Sequence, residues 1–283
     1  MSPSESSASV HLVSLDVDDS GPGPLSRLSE IRERSGEVVG LIRTYADPGR
    51  GSAVGRIEEL QISRPDPDSH WGSGAVLEAE KRFRTMGCTH SQVTLQPNDQ
   101  LVPLVSGLGY AELSHMMHKP LDSLPGIASG SSARPMDEDD FLDWSRQFRT
   151  DYVQALRQSG MAAGPAEKHA ELWVDELSST GISSSRYSFR ALVHDGLTVG
   201  YLWGGRAGDL SSQWFVYDIR VHPDHRGSGH GRTLMHVAEV EALSSGCSAV
   251  ALSVFAGNQT AFRLYTSLGY TVSNSRMLKD LEA

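Results

Sequence analysis

The sequence Val221-His-Pro-Asp-His-Arg-Gly-Ser-Gly-His-Gly231 is the densest structural signal in the chain. It joins an alternating strand pattern, which stops at Pro223, to a helical pattern that starts at Gly229. A glycine-rich loop at the start of a helix leaves free backbone N–H groups that point at one spot, with the positive end of the helix dipole behind them. The stretch therefore predicts an anion site whose natural ligand is a phosphate or diphosphate.

The side chains of this loop favour the same interpretation. Gly227, Gly229 and Gly231 allow positive φ and a close approach of the ligand, and Arg226 and Arg232 can add charge-assisted bonds to phosphate. A P-loop is excluded because G-x-x-x-x-G-K-[ST] is missing. A dinucleotide fingerprint is excluded because the spacing is G-x-G-x-G instead of G-x-G-x-x-G.

A second motif follows, Asn258-Gln-Thr-Ala-Phe-Arg-Leu-Tyr-Thr-Ser-Leu-Gly-Tyr270. Together the two motifs closely resemble those of the GNAT superfamily of N-acetyltransferases. The resemblance implies acetyl-CoA, or another acyl-CoA, as the co-substrate, with its diphosphate on the first loop. The residues that it assigns to binding are Ile219, Arg220, Val221, Arg226, Gly227, Ser228, Gly229, His230, Gly231, Arg232, Asn258, Ala261 and Tyr265.

The resemblance also implies direct acyl transfer to an amine. Tyr265 would stand near the thioester sulfur and protonate the departing thiolate, although its helical stripe with Leu264 and Leu268 also fits a core position. Asp218 is the candidate base, with His222 as the alternative. An ordinary polar or substrate-orienting role for Asp218 stays open.

The expected fold class is α/β (α+β), with two GNAT-like domains. Each has a mixed, mostly antiparallel sheet with splayed central parallel strands, flanked by helices. In the C-terminal half, alternation puts residues 214, 216, 218 and 220 on one face of a strand and 215, 217, 219 and 221 on the other. The predicted helices are 137–159, 166–178, 229–244 and 259–268, and the predicted strands are 188–194, 198–203, 214–221, 249–255 and 270–278.

Internal similarity predicts a duplication. Gly87-Cys88 and Leu108-Gly109-Tyr110 correspond to Gly246-Cys247 and Leu268-Gly269-Tyr270, and Gly72-Ser73-Gly74 is matched with Gly227-Ser228-Gly229. In the earlier copy Trp71, Val76 and Val105 stand where Arg226, Gly231 and Tyr265 do, which predicts a degenerate copy. The expected divisions are a disordered tail at 1–9, a degenerate domain at 10–118, a linker at 119–131 and a catalytic domain at 132–283.

The bulk composition excludes several classes of protein. A net charge of −10 over 283 residues disfavours nucleic-acid binding. The absence of a long apolar run predicts no membrane segment, and two cysteines favour a reducing cytoplasm. His222, His225, His230 and His236 are scattered without paired cysteines or a carboxylate motif, so no metal is expected.

The acyl acceptor is the open question. The favoured partner is a small-molecule amine, and residues 159–181 are expected to line its pocket. A peptide or protein N-acetyltransferase, an enzyme resembling mycothiol synthase, and a non-catalytic acyl-CoA-binding protein are the alternatives. The oligomeric state is open.

Overall fold

The computed structural model describes residues 10–15, 25–46, 54–63, 70–158, 161, 163–184, 186–208 and 212–282. The predicted tail at 1–9 lies outside these ranges, as do residues 159, 160 and 162 of the expected acceptor segment. The chain divides into two compact units: unit 1 comprises Met1–Leu113 and Asn274–Ala283, and unit 2 comprises Ser114–Ser273.

The first half of the chain contains six strands and two helices within the described residues. They are β1 (Val10–Ser14), β2 (Leu25–Glu33), β3 (Val38–Ala46), β4 (Val54–Ile62), α1 (His70–Thr85), β5 (His90–Leu95), α2 (Val102–Gly107) and β6 (Ala111–Pro120).

The second half contains the elements predicted from the sequence and one more strand. They are β7 (Ser131–Pro135), α3 (Glu138–Gln158), α4 (Ala163–Thr180), β8 (Tyr187–His194), β9 (Leu197–Arg206), β10 (Gln213–Val221), α5 (His230–Ser244), β11 (Ala249–Phe255), α6 (Gln259–Ser267) and β12 (Thr271–Asp280). The sequence analysis missed β7, whose first residue falls within the predicted linker, because its polar sequence Ser-Ser-Ala-Arg-Pro has no strand periodicity.

Each unit includes one strand from the opposite half of the sequence: β12 in unit 1 and β6 in unit 2. In unit 1 the strand order is β1-β2-β3-β4-β5-β12, and in unit 2 it is β6-β11-β10-β9-β8-β7. Antiparallel pairing joins β12 to β5 over 275–280 and β6 to β11 over 114–120. These compact units differ from the predicted ranges 10–118 and 132–283 because the final strand of each range completes the other unit's sheet.

A buried carboxylate on α5 holds β6, the strand that unit 2 takes from the first half of the sequence. The Glu239 side chain on α5 accepts a hydrogen bond from Lys119 Nζ of β6 at 2.7 Å and another from the Tyr270 hydroxyl at 3.1 Å. The Lys119 ammonium also lies 5.7 Å from the centre of the Tyr270 ring. A buried charge is tolerated when it is paired and hydrogen-bonded, as it is here.

Unit 1 repeats this arrangement with its own residues. Glu80 of α1 is buried and accepts from Lys279 Nζ of β12 at 2.9 Å, and the same ammonium lies 5.7 Å from the centre of the Tyr110 ring. Burial raises the pKa of Tyr110, and the nearby Glu80 carboxylate adds to the rise. The repetition is what an internal duplication predicts.

One predicted correspondence between the copies is wrong. Gly72 and Gly74, matched with the loop before α5, lie inside α1, which begins at His70. Trp71 and Val76 are therefore helical residues and do not occupy the positions of Arg226 and Gly231. The match failed because a pair of glycines is too short a signal to fix the position of a helix start.

Unit 2 buries side chains on both faces of its sheet. One core, called here the α5/α6 core, contains Leu234, Leu252 and Tyr265. The other, called the aromatic core, contains Trp144, Phe189 and Trp203 and receives α3 and α4. No helix in the described ranges combines the length and apolar composition needed to cross a membrane.

The exchange of strands gives a testable expectation about local stability. Met277 on β12 and Met117 on β6 are both buried, the first in unit 1 and the second in unit 2. Truncation of a buried methionine costs about 2–5 kcal/mol. Met277→Ala should speed amide hydrogen exchange in β5, and Met117→Ala should speed it in β11. The opposite pattern would contradict the assignment of the two strands.

Candidate active site

A glycine loop leads from β10 into α5. After a short helical turn at Pro223–His225, Gly227 and Gly229 adopt φ of +82° and +85°. A Cβ built at either position would meet nothing within 4 Å, so glycine is favoured there by backbone conformation and not by crowding. Gly229 is the N-cap and makes no side-chain cap bond, so the first N–H groups of α5 face a solvent-exposed loop.

The predicted loop side chains fall into two groups. Arg226 and Arg232 are exposed; the first donates from Nε to the Val221 carbonyl at 3.2 Å, and the second donates to Ser267 Oγ at 2.7 Å. The His230 ring is buried 4.8 Å from that of His194, and burial lowers its pKa. His230 therefore contributes to the loop through its backbone N–H and not through its buried ring.

Close packing explains the third glycine. A Cβ at Gly231 would lie 3.2 Å from Leu264 Cδ2 of α6. Any larger side chain would press on the helix that carries Tyr265. This glycine therefore sets the approach of α5 to α6, and its role differs from that of Gly227 and Gly229.

The central parallel strands of unit 2 separate, as predicted. The register of β10 with β11 covers 213–216 and 249–252, whereas the strands continue to Val221 and Phe255. The His222 N–H bonds the Val199 carbonyl on β9. Because backbone groups alternate along a strand, those of Ile219 and Val221 point to the other edge, where an extended ligand could pair with them.

A β-bulge between Val216 and Asp218 accompanies this separation. It corrects the predicted faces of the strand, because one extra residue resets the alternation. Ile219 and Val221 pack against the α5/α6 core together with Trp214 and Val216. Asp218 and Arg220 are directed instead toward α3, where they bond Trp144 and Asp151.

Asp218 sits in a largely buried and polar environment. Its Oδ2 accepts a hydrogen bond from Trp144 Nε1 at 2.8 Å and lies 3.6 Å from Arg220 Nε, and its side chain is 19% exposed. Burial raises the pKa of this carboxyl, while Arg220 and Trp144 oppose the rise by favouring the ionised form.

Tyr265 reaches the same region from α6. Its side chain is buried in the α5/α6 core, so the alternative of a core position describes its packing correctly. Burial raises the pKa of Tyr265, and the negative charge of Asp218 adds to the rise. The phenol is therefore protonated at neutral pH.

Asn258 is the N-cap of α6. Its Oδ1 accepts from the backbone N–H of Ala261 at 3.1 Å, which satisfies one of the free donors at the start of the helix. The contact that the family resemblance implies, with the pantetheine or the 3′ side of CoA, would fall to its remaining polar groups. Asn258 thus orients the helix on which Tyr265 is placed.

Within the described residues, His222, the alternative base, and the other histidines near the glycine loop do not form a cluster with Asp218 and Tyr265. The His222 ring packs 5.1 Å from that of Tyr201. In the ranges that the structure describes, no group of three or more His, Cys, Asp or Glu side chains is arranged to hold a metal ion.

The sequence analysis missed two side chains that α3 contributes. Trp144 bonds Asp218, and Asp151 forms a 2.6 Å ion pair with Arg220. The spacing of Trp144, Phe148 and Tyr152 marks a helix face, but that pattern indicates core packing as readily as function.

An open depression of about 660 Å³ is lined by α3 and α4. Its lining residues belong to α3 and α4: Arg149, Thr150, Val153, Gln154, Arg157, Gln158 and Glu167. They are mostly polar and come chiefly from α3, N-terminal to the 159–181 segment that was expected to line the acceptor pocket.

Comparisons with known proteins agree with this geometry. Residues 143–270 match the model of the acetyltransferase (GNAT) family. The uncharacterized N-acetyltransferase YdgE of Bacillus subtilis (strain 168) is 32% identical over 142 residues, which is 47% of this chain and 90% of that protein. The mycothiol acetyltransferase of Mycobacteroides abscessus is 30% identical over 214 residues, 71% of this chain and 67% of that protein.

The fold as a whole also has a solved counterpart. A GCN5-related N-acetyltransferase from Sphaerobacter thermophilus superposes with a TM-score of 0.58 at 16% identity, over 90% of this chain and 80% of that one. The family match lies entirely within unit 2, which contains the glycine loop, Asp218 and Tyr265.

The cap of α6 can be tested without any ligand. Asn258→Ala should lower the free energy of unfolding of unit 2 by about 0.5–2 kcal/mol, because an N–H at the helix start loses its acceptor. Asn258→Ser, which keeps a capping oxygen, is the matched control. Denaturant unfolding with hydrogen exchange over 259–267 measures both. Equal losses in the two variants would show that the cap bond does not stabilise the helix.

Proposed function

Because the chain belongs to the acetyltransferase (GNAT) family, we propose that it transfers an acetyl group from acetyl-CoA to a primary amine of a small molecule, with unit 2 as the catalytic unit. The observation that carries the proposal is the open edge of β10 beyond its pairing with β11, on a strand that carries Asp218, leads into the glycine loop and packs against the core containing Tyr265. A cytoplasmic location is part of the proposal, in keeping with the two free cysteines, Cys88 and Cys247.

The geometry supports a division of the co-substrate between two parts of the site. The N–H groups of the loop and the exposed Arg226 would bind the diphosphate of acetyl-CoA. The outward backbone groups of Ile219 and Val221 would pair with the pantetheine amides, as a strand would. A backbone N–H of this edge would polarise the thioester carbonyl.

In the reaction the amine nitrogen forms a bond to the thioester carbonyl carbon, and the carbon–sulfur bond breaks. Asp218, as the ionised carboxylate, accepts a proton from the amine directly or through water. Tyr265 donates its phenolic proton to the departing thiolate, for which its raised pKa keeps it in the protonated form. The acetylated amine and free CoA are the products.

A supporting role for unit 1 completes the proposal. The Tyr110 N–H bonds the Val105 carbonyl at 3.1 Å, as the Tyr270 N–H bonds the Tyr265 carbonyl in unit 2. Val105 therefore occupies the position of the phenol and carries no proton donor. We assign unit 1 no chemistry of its own.

A second candidate is the activity given by the name of the relative from Mycobacteroides abscessus, mycothiol acetyltransferase. It is favoured by 30% identity over 67% of that protein. Including that enzyme's amine substrate in a panel of small-molecule amines and peptides, with release of CoA thiol as the signal, separates the candidates.

Binding of acetyl-CoA is the first test, measured by calorimetric titration. The parent should bind about one acetyl-CoA per chain, and Gly229→Ala should weaken binding about tenfold, because a left-handed conformation costs a side chain about 1–2 kcal/mol. Gly246→Ala is the matched control, since Gly246 has φ of +74° just beyond the other end of α5.

The outcomes of this titration are distinct. Two molecules per chain would show that unit 1 also binds. Equal weakening in both glycine variants would remove the loop from the proposed site. No binding to the parent would overturn the proposal, and binding without turnover on any amine would favour a non-catalytic acyl-CoA-binding protein.

Removal of the phenol tests the proposed acid. Tyr265→Phe should lower kcat about 10²–10⁴-fold with little change in acetyl-CoA affinity, as for loss of a general acid. Tyr270→Phe is the control, because Tyr270 is buried in the same core and its hydroxyl bonds Glu239. A similar fall in kcat for both variants would assign Tyr265 to packing instead.

A further inference from the structure

The carboxyl of Asp218 is held by α3, one of the helices that pack in the aromatic core. Trp144, on α3, donates its indole N–H to Asp218 Oδ2 at 2.8 Å. The Trp144 side chain is 0% exposed and is fixed by Phe148 in a stacked arrangement with 5.4 Å between ring centroids and by Trp203 edge-on at 5.5 Å. An indole confined in this way can donate in one direction only.

A second indole in the same core provides an internal comparison. Trp203 is 1% exposed and packs against Phe148 and Tyr217, yet within the described residues its Nε1 has no hydrogen-bond partner. The aromatic core therefore accommodates a buried indole without a bond to its N–H. Packing alone does not require the bond that Trp144 makes.

Other charged and polar groups also act on Asp218, and they lie on β10, α3 and α6. Arg220, on the same strand, has Nε at 3.6 Å, and its guanidinium is shared with Asp151 of α3 at 2.6 Å. The Tyr265 phenol approaches from α6. Among the hydrogen bonds of the described residues, the Trp144 bond is the direct contact that fixes the Asp218 carboxyl.

We propose that Trp144 is the positioning residue for Asp218: it fixes the orientation of the carboxyl and favours its ionised form, so that the carboxyl is ready to accept a proton from the acceptor amine. This inference rests on the proposed function, in which Asp218 is the base. It gives α3 a role in positioning the proposed base, in addition to lining the open depression.

The first test is the pH dependence of kcat/KM. A hydrogen bond to a carboxylate lowers its pKa, so removing the bond raises it. In Trp144→Phe the acidic limb should move to higher pH by about one unit, a tenfold loss at the low-pH end that is regained as pH rises. Trp173→Phe is the control, because Trp173 packs against the same aromatic core and its ring contacts are with Trp203 and Tyr217; it should leave the limb in place.

A purely structural role for Trp144 predicts a different result. It would lower kcat/KM by the same factor at every pH, with the limb where it is in the parent. That result, or equal displacement of the limb in Trp144→Phe and Trp173→Phe, would overturn the proposal.

A second measurement uses the parent protein and does not depend on turnover or on the folding of Trp144→Phe. In a ¹⁵N spectrum of the 5 tryptophan indoles, the Trp144 signal should titrate with pH, and Asp218→Asn should abolish that titration. Single Trp→Phe changes at the other four tryptophans assign their signals, and the remaining signal is that of Trp144. If no indole signal loses its titration in Asp218→Asn, Trp144 does not hold the carboxyl. A parent that shows this titration but acetylates no amine would overturn the proposed function alone.

Discussion

The separation of β10 from β11 is the constraint on which the rest of unit 2 depends. Two parallel strands that stay paired have no free backbone groups between them, and an extended ligand cannot enter. Here the bulge between Val216 and Asp218 lies where the pairing with β11 ends at Leu252, and the edge of Ile219 and Val221 faces away from β9. The same distortion redirects Asp218 toward α3. One irregularity therefore sets both the open edge and the location of the carboxylate.

The two faces of the sheet then contribute different chemistry. The α5/α6 core brings the glycine loop and a phenol that burial keeps protonated. The aromatic core surrounds the carboxylate with one charge-assisted partner, Arg220, and one neutral donor, Trp144. In the proposed reaction the acid and the base must not neutralise each other, and Tyr265 and Asp218 accordingly belong to the surroundings of different faces of the sheet.

Much of this was predictable from residues 221–231 and 258–270. The glycine pattern predicted a start of α5 at 229, one residue before His230, and allowed the positive φ found at Gly227 and Gly229. Between the two motifs, strand patterning predicted the bounds of β11. The bulge was not predictable, because an extra residue leaves no mark in the alternation of a short strand. The Trp144 bond was hidden because its helical spacing indicates core packing. The prediction placed Gly72 and Gly74 in a loop, whereas they lie inside α1. A loop glycine is defined by the backbone conformation that it adopts, and residue identity alone does not reveal that conformation.

The exchange of terminal strands has a consequence for how the chain is made. Unit 2, from Ser114 to Ser273, contains every strand of its own sheet by the time β11 and α6 have been synthesised. Unit 1 begins before unit 2, yet the edge of β5 waits for β12, which follows all of unit 2 in the chain. Domains generally fold in order from the N-terminus during synthesis. In this chain the order is inverted: the first half to emerge is the last to close, and until then it exposes an unpaired strand edge that can pair with another chain.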